Sequence, residues 1–516
     1  MSEKINRIIK SAEKAVKFGD FQAAKATCHA GLEKYPNNPR LNALEKRLST
    51  AEPRKTTRLP NAIFEELSAL AEESKFILLV KRCSELFERY ENSPMLWNIL
   101  GAAQLREGYH QLAEASLKQC IELDTTFYGG YSNLGNVYLE VGRLAEAEAM
   151  HKTAAKLAPF CARTQNNLGA LLEELGRYQE AFEYFTKAAS IEPDYATAVY
   201  NLAAMNLKFK NFADGWAQRE SRWAKEKKEP GPGPIVTSRP LWDGSEVDRL
   251  FVWSEQGVGD EVMFASCFND LIDRCERLIV ACESRLIPIF QRSFGSKIQF
   301  IDRKSELSDQ HFDAHAPMLT ATGWLRRSID DFSSSANGYL AIDEIAQKSL
   351  RQTLAEHANG KKIVGISWLS KNKQVGKKRS ISPVELVSAL PEDCFLLNLQ
   401  YGDVSQDLSE IRLKLNRAVA SFNNINNWND LDAFTHLIAA CDKVVSIDNS
   451  TVHFAGALGK ECHVLLPYSS DWRWGLRDEK QSYWYSSLRL YHQAELDDWT
   501  GPIKSLVSDL NENSPR

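Results

Sequence analysis

The sequence predicts a helical repeat solenoid over residues 1–225, followed by an α/β region built as two parallel-sheet lobes. Three observations carry this prediction. Small residues recur every 34 positions through the front half, and a charged, Pro/Gly-rich stretch interrupts the chain at 225–240. Beyond that stretch, short apolar runs alternate with amphipathic segments.

The repeat is read first, because a fixed period of 20–50 residues defines the architecture before any local propensity does. Gly101, Gly135, Gly169 and Ala203 are each 34 residues apart, and each follows a leucine: Leu100, Leu134, Leu168 and Leu202. Ala113, Ala147, Ala181 and Gly215 keep the same period, and Pro159 and Pro193 close two units. Small residues at fixed positions let two antiparallel helices approach, and large apolar residues fill the space between neighbouring pairs. EKYPNNP and ERYENSP mark two earlier, more degenerate repeat ends, which brings the count to about five or six helix pairs. The pattern resembles the tetratricopeptide repeat (TPR). Stacked pairs present an extended binding groove. That groove holds a peptide or protein, or it serves as a dimerisation or packing scaffold, so a homo-oligomer stays open.

KEKKEPGPGPIVTSRP breaks the helical pattern and assigns a linker to 226–240. After it, RLFVWS, RLIVACE and KIQFID read as strands of a first lobe spanning 241–345, with helices over EVMFASCFNDLIDRC and SRLIPIFQRSF. KKIVGISWL, CFLLNLQYG, AVASF, KVVSID and CHVLLP read as strands of a second lobe spanning 360–516, which ends in a C-terminal tail. Strands alternating with helices imply parallel sheets covered on both faces. Two Rossmann-like sheets facing a cleft follow, with ligands beyond the carboxyl ends of the strands.

Bulk properties bound the function. The chain has 516 residues, 63 Lys and Arg against 68 Asp and Glu, and a net charge of −5. No basic domain or stripe points to nucleic acid. Ten scattered cysteines form no C-x-x-C pair, so no zinc site or disulfide framework is expected, and the usage suits a reducing cytoplasm. The polar, helix-periodic start lacks a signal-peptide core, and no apolar run is long enough to span a bilayer.

Four loops concentrate chemistry. SEQGVGDEVMFAS follows a strand and opens a helix; Gly257 and Gly259 permit a tight turn and leave room for a ligand. Asp260 is then a helix cap or a catalytic carboxylate. In VVSIDNSTVHFAGALGK a buried strand ends at Asp448, and Asn449, Ser450 and Thr451 form a polar turn at a helix start whose N–H groups suit phosphate. His453 follows one turn in, on the end toward the cleft or as a satisfied core residue. SWLSKNKQVGKKRSISPVE gathers Lys371, Lys373, Lys377, Lys378 and Arg379, a solvated loop or a neutraliser of leaving phosphate. The aromatic stretch DWRWGLRDEKQSYWYSS reads mainly as packing. Asp430 and Asp432 match a metal-holding D-x-D pattern, but they precede a helix, where acidic residues favour the N-terminus. No metal site is assigned.

EQGVGDEVMFA, KKRSISPVEL, SIDNSTVHFAGALGKECHVLLPYSSDWRWG and SYWYSSLRLYHQ resemble the glycosyltransferase family of the ADP-heptose:lipopolysaccharide heptosyltransferases, in versions fused behind TPR repeats. The resemblance implies a GT-B domain of two Rossmann-like lobes and metal-independent, inverting transfer from a nucleotide-sugar donor, with no other cofactor. It implies Asp260 as general base, and donor contacts from Gly257, Gly259, Lys377, Lys378, Arg379, Asp448, Asn449, Ser450, Thr451 and His453. Asn449 stands where the family carries threonine, and Ser450 offers a neighbouring hydroxyl. Some fused relatives modify proteins, including flagellin, so the implied acceptor is a protein recruited by the repeats. The alternative is a non-catalytic TPR scaffold carrying a relic transferase domain.

Overall fold

The structure, a computed structural model, describes residues 2–17, 21–50, 58–224, 234–333, 336–372, 375–422 and 425–512. Residues 226–233 of the expected linker and Lys373 lie outside the described residues. Packing divides the chain into two compact units, Met1–Leu171 and Leu172–Arg516.

The first unit is helical. After helices Ser2–Lys17, Phe21–Lys34 and Pro39–Thr50 come the pairs Asn61–Glu72 with Phe76–Tyr90, Pro94–Arg106 with His110–Leu123, and Tyr128–Glu140 with Leu144–Leu157. Their starts and turns follow from local chemistry. Ser93 caps its helix by accepting from Leu96 N–H at 3.4 Å, with Pro94 in the first turn. The periodic small residues sit where helices touch. A Cβ on Gly101 would lie 2.5 Å from Leu117 Cγ, and one on Gly135 would lie 2.7 Å from His151 Nε2. A second period runs through the inter-helix turns: residues 108, 142, 176 and 210 all take positive φ, three as glycine and the fourth as Lys210 at 64°. Left-handed backbone is costly for a residue with a Cβ, hence glycine in three of the four.

The second unit begins inside the repeat array. Its helices Tyr178–Ile191, Ala196–Lys208 and Phe212–Arg219 pack on the α/β elements. Trp216 donates to Arg326 O at 2.7 Å, and Phe212 meets Phe332 with ring centroids 4.9 Å apart. The packing boundary therefore precedes the change in chain texture near 225, because these late helices bury their apolar side chains against the following region.

Two all-parallel sheets follow. The first comprises β1 (Val247–Trp253), β2 (Cys275–Cys282), β3 (Ile298–Asp302) and β4 (Ala314–Pro317), in the order β3-β2-β1-β4. The second comprises β5 (Lys362–Ile366), β6 (Cys394–Asn398), β7 (Val419–Ala420), β8 (Lys443–Ile447), β9 (Cys462–Leu466) and β10 (Leu488–His492), in the order β10-β9-β8-β5-β6-β7. Buried strand ends such as Leu250 and Val252, and the fully buried β8, explain the near-continuous apolar runs.

Several elements depart from the sequence reading. β4, of four residues, is built from Ala, His, Ala and Pro, poor strand formers held by pairing with β1 from Leu250 to Trp253. β10 lies within what reads as a tail and pairs in parallel with β9. The single helix expected over EVMFASCFNDLIDRC begins earlier, at Val258, and is interrupted by a 3-10 turn at Ala265–Cys267 before Phe268–Ile272. Helix Glu344–Ala358, which falls across the gap left between the two lobes, binds the second sheet's layer: Arg351 donates to Ala440 O and to Asp442, each at 2.6 Å.

Candidate functional site

In each sheet the chain reverses its direction of strand addition at one place. The first sheet grows from β1 to β2 to β3, then returns to put β4 on the other side of β1. The second grows from β5 to β6 to β7, then returns to put β8 beside β5. Crevices outside the carboxyl ends of strands at such switch points are where open α/β sheets bind ligands. The loops after β1, β5 and β8 are three of the four that the sequence singles out.

The helices after β1 and β8, Val258–Phe264 and Ser450–Ala457, pack start to start. A Cβ on Gly259 would lie 3.0 Å from His453 Cδ2 and 3.4 Å from the Ser450 Cα. Close approach, not a turn, is what demands glycine here. Gly257 has φ −83° and ψ 167°, ordinary extended backbone, and a Cβ there would make only an ordinary contact with Asp260 Oδ2 at 3.5 Å. The expectation of a glycine-dependent tight turn at Gly257 is corrected on both counts.

Around this junction runs an alternating chain of five charges. Arg473 Nη1 donates to Asp260 Oδ1 at 2.6 Å, and its Nε donates to Asp471 Oδ1 at 3.1 Å. Arg379 Nη2 donates to Asp471 Oδ2 at 3.2 Å, while its Nη1 lies 3.0 Å from Asp448 Oδ2. That last contact is a charge pair and not an aligned hydrogen bond, since no donor points at Asp448 Oδ2. The chain thus reads Asp260, Arg473, Asp471, Arg379, Asp448, and it connects the loops after β1, β5, β8 and β9.

Burial sets its electrostatics. Asp448 is 2% exposed, and burial raises its pKa against the pull of Arg379. Burial would also raise Asp471, but Arg473 and Arg379 together hold its carboxyl well below the usual range. Removing a member strips a half-buried or buried charge of a partner, and the cost approaches the roughly 3–5 kcal/mol of a broken buried pair.

The remaining residues singled out by sequence divide sharply. His453 is 3% exposed; burial and the repulsion of Arg473 push its pKa down to about 3, so it is a neutral imidazole. It shares a hydrogen bond with the Tyr485 hydroxyl at 3.1 Å and stacks on Trp474. It is packed within the junction of the two helices. Asn449 caps the Ser450–Ala457 helix: its Oδ1 accepts from Thr451 N–H at 3.0 Å, and its Nδ2 donates to Ser367 Oγ at 2.8 Å. One of the amides expected to meet phosphate is therefore already satisfied, and Thr451 is fully buried. Ser450 is half-buried. Lys377 is exposed, and Lys378 forms a 2.6 Å ion pair with Glu174. Asp260 also accepts from Gly257 N–H at 3.3 Å, so it caps its helix while pairing with Arg473. Asp430 caps the next helix by accepting from Ala433 N–H at 2.9 Å, and Asp432 pairs with Arg292.

Sequence reasoning missed Asp471 and Arg473 as site residues, because it read their stretch for its aromatics. Trp472, Trp474, Trp484 and Tyr485 are indeed buried. The overlooked signal was two charged residues alternating with tryptophans in a loop that directly follows a strand. Lys208 was also missed. Its Nζ donates to Ser470 O at 2.7 Å and to Gly475 O at 3.3 Å, clamping both ends of that loop, and burial pushes its pKa down to about 8. Gln400 holds the loop after β5: its Oε1 accepts from Ser367 Oγ, Trp368 N–H and Leu369 N–H at 2.8–3.0 Å. Glu255, buried after β1, accepts from Met318 and Leu319 N–H at 3.1 and 3.2 Å, and burial raises its pKa to about 7. A groove of about 630 Å³ lies on the first lobe, lined by Asp270, Trp324, Arg327 and Asp331 among others, and shares no residue with the charge chain.

Comparisons with known proteins bear mainly on the repeats. Tetratricopeptide-repeat profiles match residues 96–127 and 130–193, so the chain carries these repeats. Protein FlbA of Caulobacter vibrioides is 27% identical over 332 residues, which cover 60% of this chain and 54% of FlbA. The match thus spans about half the length of that relative. Among solved structures, MamA is 19% identical, covering 30% of this chain and 91% of its own, with a TM-score of 0.26. A thermophilic TPR protein of Thermus thermophilus is 17% identical, covering 39% of this chain and 99% of its own, also at 0.26. Among the described residues, no helix is long and apolar enough to cross a membrane.

Proposed function

We propose that this protein is a glycosyltransferase whose two parallel-sheet lobes form a GT-B-type domain. It moves a sugar from a nucleotide-sugar donor to a protein acceptor recruited by the repeats, with flagellin the acceptor class that the family resemblance implies. The observation that carries this reading is the convergence of the loops after β1, β5 and β8 at the two switch points, with Asp260 and Arg379 in one chain of charges.

The chemistry follows from what glycosyl transfer requires. The bond from the anomeric carbon to the donor phosphate breaks as the bond to the acceptor oxygen forms, and the sugar gains oxocarbenium character on the way. The Asp260 carboxylate takes the acceptor hydroxyl proton. Charge grows on the departing phosphate, where Arg379 supplies a planar, permanently charged donor pair. No metal ion enters this scheme.

The test is nucleotide release from a nucleotide-sugar donor, measured with and without acceptor for the full chain and Asp260→Asn. The substitution keeps the size and cap position of the side chain and removes its basicity. Turnover should fall by about 10²–10⁴-fold with folding intact. Unchanged turnover rejects Asp260 as the base.

A second reading is a binding scaffold without catalysis. It is favoured by the repeat matches over 96–127 and 130–193, and by the fact that Asp260 and Arg379 already have charged partners. It expects partner binding that Asp260→Asn leaves unchanged, and no nucleotide release from any donor.

A further inference from the structure

We propose that Arg379 and Arg473 form a diphosphate-binding pair, and that Asp471 is an internal anion holding the place of the diphosphate. For the identity of the molecule that carries the diphosphate, this inference rests on the donor reading above; the anion site is tested independently of it.

The geometry is that of two guanidinium groups converging on one carboxylate. Arg473 Nε reaches Asp471 Oδ1 at 3.1 Å, and Arg379 Nη2 reaches Asp471 Oδ2 at 3.2 Å. Each arginine also holds a second carboxylate, Asp260 for Arg473 and Asp448 for Arg379. A planar guanidinium matches carboxylate and phosphate oxygens with the same fork. Two forks facing one point suit an anion with several oxygens better than a single carboxylate, which gives each arginine only one of its two oxygens.

The surroundings favour this assignment over a plain structural brace. Asp471 sits in a loop at the carboxyl end of β9, at the crevice side of the second sheet. Its neighbours Ser470 and Trp472 are buried, and Trp472 is anchored edge-on against Trp216 with ring centroids 5.4 Å apart. Lys208 holds the two ends of the loop through Ser470 O and Gly475 O, so the central residues can be displaced without releasing the ends.

The consequence is a coupling. Three carboxylates share two guanidiniums, and an entering diphosphate competes first with Asp471, the one carboxylate common to both. When diphosphate takes over Arg473, that side chain loosens its hold on Asp260 and frees the carboxylate. Donor binding and exposure of the base are then one event.

The experiment is calorimetric titration of the full chain with inorganic pyrophosphate, at constant ionic strength, for the unmodified protein, Asp471→Asn and Arg473→Lys. Removing the internal competitor should tighten pyrophosphate binding at least about tenfold in Asp471→Asn. Arg473→Lys keeps the charge, loses the fork and should weaken binding several-fold. The lysine variant keeps the test alive if the asparagine variant does not fold. Equal affinity in all three proteins, or no binding in any, overturns the proposal. Binding of nucleotide sugars together with an unchanged pyrophosphate affinity in Asp471→Asn overturns the placeholder while leaving the transferase reading intact. The expected pyrophosphate series, with no nucleotide sugar bound, supports the anion site and removes the donor reading.

Discussion

The repeat-bearing first unit and the charge chain of the second are built on opposite logics. In the first, the close contacts of the periodic small residues join residues near in sequence: Gly101 meets Leu117, and Gly135 meets His151. The contacts are apolar or uncharged, and they repeat. In the second, Asp260 meets Arg473 and Arg379 meets both Asp448 and Asp471. Those contacts are charged, half-buried and distant in sequence. Local repetition gives a stability that is a sum of similar parts. A single half-buried charge chain gives a junction that is strong when complete and weaker when any member is lost. The first arrangement suits a surface that presents itself to partners, and the second suits a place where binding must change something.

The sharpest way to break this comparison is Arg473→Leu, which leaves Asp260 without its guanidinium and Asp471 with that of Arg379 alone. Denaturant unfolding of the full chain should show a loss of about 3–5 kcal/mol in the transition of the second unit, with that of the first unit unmoved. A loss below about 1 kcal/mol would mean that the chain of charges behaves like an exposed ion pair.

A smaller effect separates the units by pH. Burial lowers the pKa of His151 in the first unit to about 4, from its ordinary 6.5. The folded state therefore prefers the neutral ring. Its contribution is present above pH 6.5 and is lost as pH falls toward 4. Between pH 7 and 5 the first unit should lose about 2 kcal/mol through this residue, and His151→Leu should flatten that loss. Glu255 and Glu261 in the second unit have the opposite sign. Burial raises both to about 7, so their contribution is present below pH 4.5 and is lost as pH rises through 7. If His151→Leu leaves the pH profile between 7 and 5 unchanged, the buried imidazole is not the acid-sensitive element of the repeats.

The smallest effect concerns the repeat turns. Gly142 has φ 79°, and a Cβ there would touch nothing within 4 Å. Gly142→Ala should therefore cost about 1 kcal/mol through backbone conformation alone, read as a small fall in Tm. A neutral result would show that the left-handed turn tolerates a side chain, as those at Ser74 and Lys210 do at the same period.

These contrasts also explain what the sequence disclosed. The helix pairs were legible because their packing repeats with the sequence, down to Gly101, Gly135, Ala113 and Ala147. Strands β1, β2, β5, β8 and β9 were legible because both faces are buried and the runs are apolar. β4 was hidden because its four residues are poor strand formers, and β10 because it follows a long aromatic loop. Asp260, Arg379 and Asp448 could be picked out, since each lies in a loop after a strand. Their mutual arrangement could not, because nothing periodic links Asp260 to a partner at Arg473. The packing around Gly257 and His453 was illegible for the same reason. What decides them is the meeting of two helices far apart in the chain, where Gly259 gives room and His453 is sealed beneath Trp474 and Tyr485.

The central claim is that the α/β region binds a nucleotide-sugar donor through Arg379. It is tested most directly by thermal unfolding of the full chain and of Arg379→Ala across a panel of nucleotides and nucleotide sugars. A ligand that binds only the folded state stabilises it by about 2.7 kcal/mol at one hundred times its Kd. The account predicts that one class of nucleotide sugar raises the Tm of the unmodified chain and that Arg379→Ala loses most of that rise. No rise with any donor, or an equal rise in both proteins, would contradict it.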